Sequence, residues 1–137
     1  MNNVFVLDAC ALLVAARNEE GANIVVDVYN KAANGEIKLL LNRINLLEVY
    51  YDLYRYKGSN YADNFLNTIK QSDVKIREFD DIIFNHAGRL KATYKISLAD
   101  SIVLAQTLSV DGTLLTCDHH EFDVIEHKEP IHFLWIR

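Results

Sequence analysis

Two cysteines, one proline and five glycines in 137 residues leave little room for several kinds of protein. Cys10 and Cys117 are too few for a disulfide framework, so they read as free thiols, small buried hydrophobes in a reducing compartment. The scarcity of proline and glycine argues against an all-β fold stitched together by tight turns. No run approaches the roughly 18 uninterrupted apolar residues of a transmembrane helix. Val4–Ala16 has the look of a secretory h-region, but Asp8 interrupts it and no Lys or Arg precedes it. The segment therefore reads as mature structure, and the expectation is a cytoplasmic protein with no membrane contact. Basic charge is also short: 14 Lys and Arg face 19 Asp and Glu, a formal net charge of −5. That balance disfavours a non-specific nucleic-acid binder, which usually carries a basic face. A cluster of acids that holds cations would account for part of the deficit.

What is present is an alternation of short apolar runs with helical periodicities. Strands are expected at Asn3–Leu7, Ile37–Leu41, Val74–Phe79, Thr113–Thr116 and Ile131–Trp135. Between them, helices are expected at Ala9–Asn18, Gly21–Ala33, Asn45–Tyr56 (closed by Gly58), Asn60–Lys70, Asp80–Tyr94 and Ser97–Ser109, with a short helical turn over Asp118–Ile125. Near-continuous apolar strands separated by helices predict a mostly parallel sheet covered on both faces. The expected architecture is a three-layer α/β/α sandwich, a single domain over 1–137, with ligands gathering at the carboxyl ends of the strands.

Four acids fall in corresponding places. Asp8 directly follows the first strand, and Asp118 follows the fourth with only Cys117 between. Glu48, in Asn45-Leu-Leu-Glu48, and Asp100, in Ser97-Leu-Ala-Asp100, stand in first helical turns. Helix capping explains each singly, since Asp is a favoured N-cap and the two four-residue motifs resemble capping boxes. Capping does not explain neighbours as apolar as Ile96-Ser-Leu-Ala-Asp-Ser-Ile-Val-Leu-Ala105, because charged groups are rarely buried without partners. No cationic partner is evident. Two carboxylates about 4 Å apart repel by roughly 4 kcal/mol at an effective dielectric of about 20. A hard divalent cation relieves that repulsion, and Mg²⁺ and Mn²⁺ prefer carboxylate oxygens. Such an ion suits phosphodiester hydrolysis.

These motifs resemble the PIN-domain superfamily, in particular the VapC-type toxins of toxin–antitoxin pairs. The resemblance runs from Val4-Phe-Val-Leu-Asp8 through Asn45-Leu-Leu-Glu48 and Ser97-Leu-Ala-Asp100 to Leu114-Leu-Thr-Cys-Asp118, with Phe122 a turn later. It implies a Mg²⁺- or Mn²⁺-dependent endoribonuclease that forms a homodimer and is silenced by a cognate antitoxin. By the same resemblance Asp8, Glu48 and Asp100 would hold the main ion, and Asp118 would complete the site or bind a second. Asp123 might assist, with Glu121 a rival for that place. Thr116 would position Asp118 or an ion-bound water, or serve as an ordinary β-branched strand residue. One departure is Ala9-Cys10-Ala11, where the family commonly has a small hydroxylated residue after the first Asp.

Other features carry weaker signals. His119 and His120 beside Asp118 would touch substrate, or, with Cys10 and Cys117, form a zinc site, although zinc wants three or four well-placed ligands. Tyr50, Tyr51, Tyr54, Tyr56 and Tyr61 divide between core packing and an interface. Arg43, Arg89, Lys91 and Lys95 would meet RNA phosphates or simply populate helix surfaces and ends. The competing function is a PIN-like domain that binds RNA or a partner without cleaving, whose mark would be loss of one of the acids. A dehalogenase-type phosphatase would want Asp-x-Asp after the first strand, where Cys10 stands instead. A receiver domain would want an acidic pair there, and a nucleotide-binding fold would want a glycine-rich loop.

Overall fold

A computed structural model describes residues 3–137. The expected domain span includes Met1 and Asn2, which lie outside the described residues. Five strands are β1 (Val4–Leu7), β2 (Lys38–Asn42), β3 (Lys75–Arg77), β4 (Thr113–Thr116) and β5 (His132–Trp135). The helices are α1 (Ala9–Ala16), α2 (Ala22–Ala33), α3 (Arg43–Lys57), α4 (Ser59–Gln71), α5 (Asp81–Thr93), α6 (Leu98–Ser109) and α7 (His119–Glu126). The strands form one sheet in the order β3-β2-β1-β4-β5, and every pairing is parallel. The expected α/β/α sandwich is therefore the observed fold.

Strand geometry sends successive side chains to opposite faces, and each face has its own core. Leu7, Leu39, Leu41 and Leu115 point to the side covered by α1 to α4, where they meet Leu12, Val25, Leu46, Leu53 and Ile69. Val6, Leu40 and Leu114 point to the other side, against Ile83, Leu90, Val103 and Phe122 of α5, α6 and α7. Burial on both faces is why these strands read as unbroken apolar runs. Each fully buried Leu or Phe contributes about 2–3 kcal/mol of transfer free energy.

Helix α6 is buried nearly all round, from Ser101 to Thr107. Its polar side chains are satisfied locally: Ser101 donates to the Leu98 carbonyl at 2.6 Å and Thr107 to the Val103 carbonyl at 2.8 Å. Gln106 Oε1 accepts from Asn42 Nδ2 at 3.1 Å, which ties α6 to the end of β2.

Two boundaries differ from the sequence-based expectation for physical reasons. Helix α3 starts at Arg43, because Asn42 is the N-cap and its side chain accepts from the Ile44 N–H. Asn45 is therefore no cap, and Glu48 sits in the second turn. Strand β3 shrinks to three residues at the sheet edge, where it has one neighbour to pair with. Gly58 closes α3 with φ of +88°, a region that favours glycine. Among the described residues no helix is long and apolar enough to cross a membrane.

The order β3-β2-β1-β4-β5 makes β1 and β4 the pair where the winding reverses. Connections from β1 leave to one side and those from β4 to the other, which opens a crevice at the carboxyl edge. Asp8 and Asp118 stand at that edge.

Candidate active site

Asp8 leaves β1 in an extended conformation and caps α1, its Oδ1 accepting from the Ala11 N–H at 2.8 Å. Its other oxygen, Oδ2, accepts a short hydrogen bond from the Thr116 hydroxyl. Thr116 Oγ1 accepts in turn from the Asp118 N–H at 3.1 Å, so one buried hydroxyl couples the first acid to the last. Thr116 is thus a strand residue whose hydroxyl also contacts both acids' segments. Asp118 caps α7 through the Glu121 N–H at 3.3 Å. Asp100 follows the α6 cap, its own N–H donating to Ser97 Oγ at 3.1 Å. Capping and convergence are thus both true of these residues.

All four predicted acids line one cavity of about 330 Å³, together with Asn45, Arg17, Glu19 and Arg137. They come from four separate elements: the end of β1, the second turn of α3, the first turn of α6 and the loop after β4. Asn45 braces two of these walls. It is 1% exposed, and its Nδ2 donates to the Ala99 carbonyl at 3.1 Å, joining the start of α3 to the start of α6. Its Oδ1 is buried with no hydrogen-bond partner among the described residues.

The electrostatics follow from this crowding. Burial pushes the Asp8 carboxyl up to about 7 from an ordinary 3.8. The Thr116 and Ala11 bonds pull it back down, and the charges of Asp100 and Asp118 add to the rise. Asp100 is also pushed up to about 7, first by burial and next by Asp118 across the cavity. Glu48 is raised by burial, with the Asn45 amide working against the shift. Burial, with the neighbouring carboxylates adding to it, thus brings the titration of Asp8 and Asp100 close to neutrality. The two arginines that line the cavity pair with acids outside the four, Arg17 with Asp52 at 2.8 Å and Arg137 with Glu19 at 3.5 Å.

The donor set fits a hard cation: four carboxylates, a buried amide oxygen without a partner, and repulsion awaiting a positive charge. The fit is not closed as the side chains stand. Among the described residues no three His, Cys, Asp or Glu side chains are gathered tightly enough to ligate one ion. The carboxylates ring the cavity, with Asp8 turned toward Ala11 and Thr116.

The remaining candidates fall outside this ring. His119 stacks on Trp135, ring centroids 3.9 Å apart, and its ring nitrogens contact Asp123 Oδ1 at 2.8 Å and the Arg137 carbonyl at 2.9 Å. Asp123 is committed to that contact, and neither it nor His120 lines the cavity. Arg43 is paired with Glu78 and Arg89 with Glu129, each at 2.7 Å, and neither reaches the acids. Tyr50 and Tyr61 are half-buried against the core, whereas Tyr51, Tyr54 and Tyr56 are exposed. The expectation of free thiols is overturned. Cys10 and Cys117 are joined in a disulfide, Cα atoms 6.1 Å apart, because β1 and β4 are neighbours and each cysteine lies just past its strand. They are accordingly no zinc ligands. Asn45, Arg17 and Arg137 were missed by sequence reasoning. Only Asn45 left a trace, as a polar residue inside an apolar helical run.

The frame is a parallel α/β domain with an acid-lined cavity at its switch point. The chain belongs to the PIN domain family, whose sequence model matches residues 5–128. Solved structures share the fold. VapBC2 from Rickettsia felis, bound to a DNA fragment from its promoter, aligns with a TM-score of 0.76 at 15% identity, covering 96% of this chain and 98% of that one. DNA-bound VapBC from Salmonella typhimurium gives 0.77 at 13%, covering 99% and 100%. VapC20 from Mycobacterium tuberculosis, a toxin that cleaves the sarcin–ricin loop, gives 0.61 at 14%, covering 80% and 86%. A search of curated protein sequences finds no match.

Proposed function

We propose that this chain is a metal-dependent endoribonuclease that hydrolyses RNA phosphodiester bonds and acts as the toxin of a toxin–antitoxin pair. The observation that carries the reading is the ring of Asp8, Glu48, Asp100 and Asp118, brought from four elements to one cavity. Family membership supports it. So does the architecture shared with toxins that are held by an antitoxin in VapBC structures or cleave RNA in the VapC20 case.

In this reading Asp8, Glu48 and Asp100 hold Mg²⁺ or Mn²⁺, with Asp118 completing the site. The bound cation would lower the pKa of water and offset charge building on the phosphate. The chain's own residues do the rest. Thr116 fixes the direction of the Asp8 carboxylate. Asn45 holds α3 and α6 at a constant spacing and so sets the distance from Glu48 to Asp100. Arg17 and Arg137, at the mouth, offer positive charge where a phosphate backbone would approach. Arg17 Cζ lies over the Tyr56 ring, 4.8 Å from its centroid, which limits the directions the guanidinium can take. A homodimer and a cognate antitoxin complete the assembly. The exposed apolar side chains Phe79, Ile82, Phe84 and Leu98 give such partners a surface to bury.

The test is cleavage of a labelled RNA panel with Mn²⁺, Mg²⁺ or EDTA, using the parent protein and Asp100→Asn. Cutting that needs the metal and disappears in the variant is the expected result. Mn²⁺ binding without cutting of any RNA would turn the reading toward a binding-only domain. Cutting that survives in Asp100→Asn at high Mn²⁺ would refute the assigned cluster.

A further inference from the structure

The two cysteines of this chain meet at the one place where a covalent link would matter most for the proposed function. Cys10 lies two residues past Asp8, in the first turn of α1, and itself lines the acidic cavity. Cys117 immediately precedes Asp118. Their disulfide spans 107 positions of sequence and ties the backbone that carries Asp8 to the backbone that carries Asp118. It thereby runs parallel to the polar tie already described, from Asp8 through Thr116 to the Asp118 N–H. Two independent links, one covalent and one hydrogen-bonded, hold the same two walls of the cavity.

From this juxtaposition we propose that Cys10 and Cys117 form a redox-modification site that sets the cation affinity of the acidic cavity, tighter with the thiols reduced and weaker with the disulfide formed. The inference rests on the metal-dependent reading given above. In the linked form the four carboxylates ring the cavity without three of them gathering around a point. The disulfide is a covalent cross-link between two backbone segments. Breaking it gives the start of α1 and the end of β4 freedom to adjust. The carboxylates of Asp8 and Asp118 ride on those segments, so this is the freedom they need to close around an ion. Closure recovers the electrostatic free energy that repulsion withholds in the linked form.

The chemistry is thiol–disulfide exchange with an oxidised low-molecular-weight disulfide such as oxidised glutathione. Cys10, reachable through the cavity, attacks one sulfur and forms a mixed disulfide, releasing one small thiol. Cys117 then displaces the second, leaving the protein disulfide. The two cysteines together give up two electrons and two protons, which leave on the two small thiols. A reduced thiol in excess runs the sequence backward.

The experiment uses the full chain equilibrated in reduced and oxidised glutathione at several ratios. Alkylation followed by intact mass counts the free thiols, and calorimetric titration with Mn²⁺ reads the affinity of each state. The expected result is two labels in the reduced form and none in the oxidised form, with Mn²⁺ binding at least fivefold tighter in the reduced form. The Cys10→Ala/Cys117→Ala variant should bind with the reduced protein's affinity at every ratio. Should that variant fail to fold, the comparison of the two states of the parent protein decides alone. Two labels at every ratio would overturn the proposal, as would equal or tighter Mn²⁺ binding in the oxidised form; each leaves the nuclease reading standing. No Mn²⁺ binding in either state, with the thiols still interconverting, would remove the metal-dependent reading and this proposal with it.

Discussion

Asp8→Asn should stabilise the metal-free protein above neutral pH, and the gain should fade in acid. Asp8 is 4% exposed, and burial holds its carboxyl at about 7 where the unfolded chain would have about 3.8. Because the folded value is the higher one, the stability this group contributes is fully present below about pH 4. It declines as pH rises and is lost above about pH 7, once the folded carboxyl must also ionise. The gap corresponds to about 4 kcal/mol. An Asn at this position carries no charge to bury. Its amide oxygen can keep the Ala11 N–H, while Thr116 must turn to accept where it now donates, a loss of about 1 kcal/mol. The net gain at pH 8 is then about 3 kcal/mol, or roughly 10 °C in melting temperature for a chain of this size. At about pH 4 the variant should match the parent or fall about 1 kcal/mol below it. Urea denaturation in EDTA across this pH range reads both numbers. Saturating Mn²⁺ at pH 8 should reverse the order, because the parent gains a ligand that the variant has lost. A variant less stable than the parent at pH 8 in EDTA, or a difference independent of pH, would refute the reasoning.

Other perturbations probe other parts of the frame. Thr116→Val fills the same space without its hydroxyl, and should cost about 2 kcal/mol. It should also move the pH-dependent loss of stability to higher pH, since the Thr116 bond is what pulls the Asp8 carboxyl down; a shift to lower pH would contradict this. Adding dithiothreitol should lower the melting temperature, because the disulfide closes a loop of 107 positions. Loops of that size carry about 2–4 kcal/mol of stabilisation, or roughly 7–14 °C here, and an unchanged melt would show that the link contributes nothing. Gly21→Ala should destabilise by about 2 kcal/mol or more, read by thermal melting. Gly21 has φ of +98°, and a Cβ there would collide with the Ile136 carbonyl oxygen. A neutral Gly21→Ala would mean the loop shifts freely.

Much of the frame is written locally. The apolar runs around Val6, Leu40 and Leu114 announce strands buried on both sides, and the acids that interrupt or follow such runs announce the carboxyl edge. Glu48 and Asp100 stood out as acids among apolar neighbours, and Asp8 and Asp118 as acids that follow strands. What sequence could not show depends on distance in the chain. Asn42 and Asn45 are both plausible caps on composition; the Asn42 bond from the Ile44 N–H and the Asn45 bond to the Ala99 carbonyl separate them. The pairing of Cys10 with Cys117 follows from β1 and β4 being neighbours, a fact of topology that no local pattern carries. Arg17 and Arg137 reach the cavity from a helix end and from beyond β5, places that no local pattern brings together.

The strand order also governs when the cavity comes into being. β1, made first, is central to the sheet, and its partner β4 is made after most of the chain. Asp8 must wait for Thr116 and Asp118, and at ribosomal rates of about 5–20 residues per second that wait lasts roughly 5–20 s. Until then the nascent chain carries its first acid on a strand with β2 as its available neighbour, with neither the hydroxyl that orients it nor the opposing carboxylate. Any activity housed in this cavity therefore waits for β4 and Asp118 to be made, and no nascent fragment that stops before them possesses it. A partner that captures the chain during those seconds meets it before the site exists.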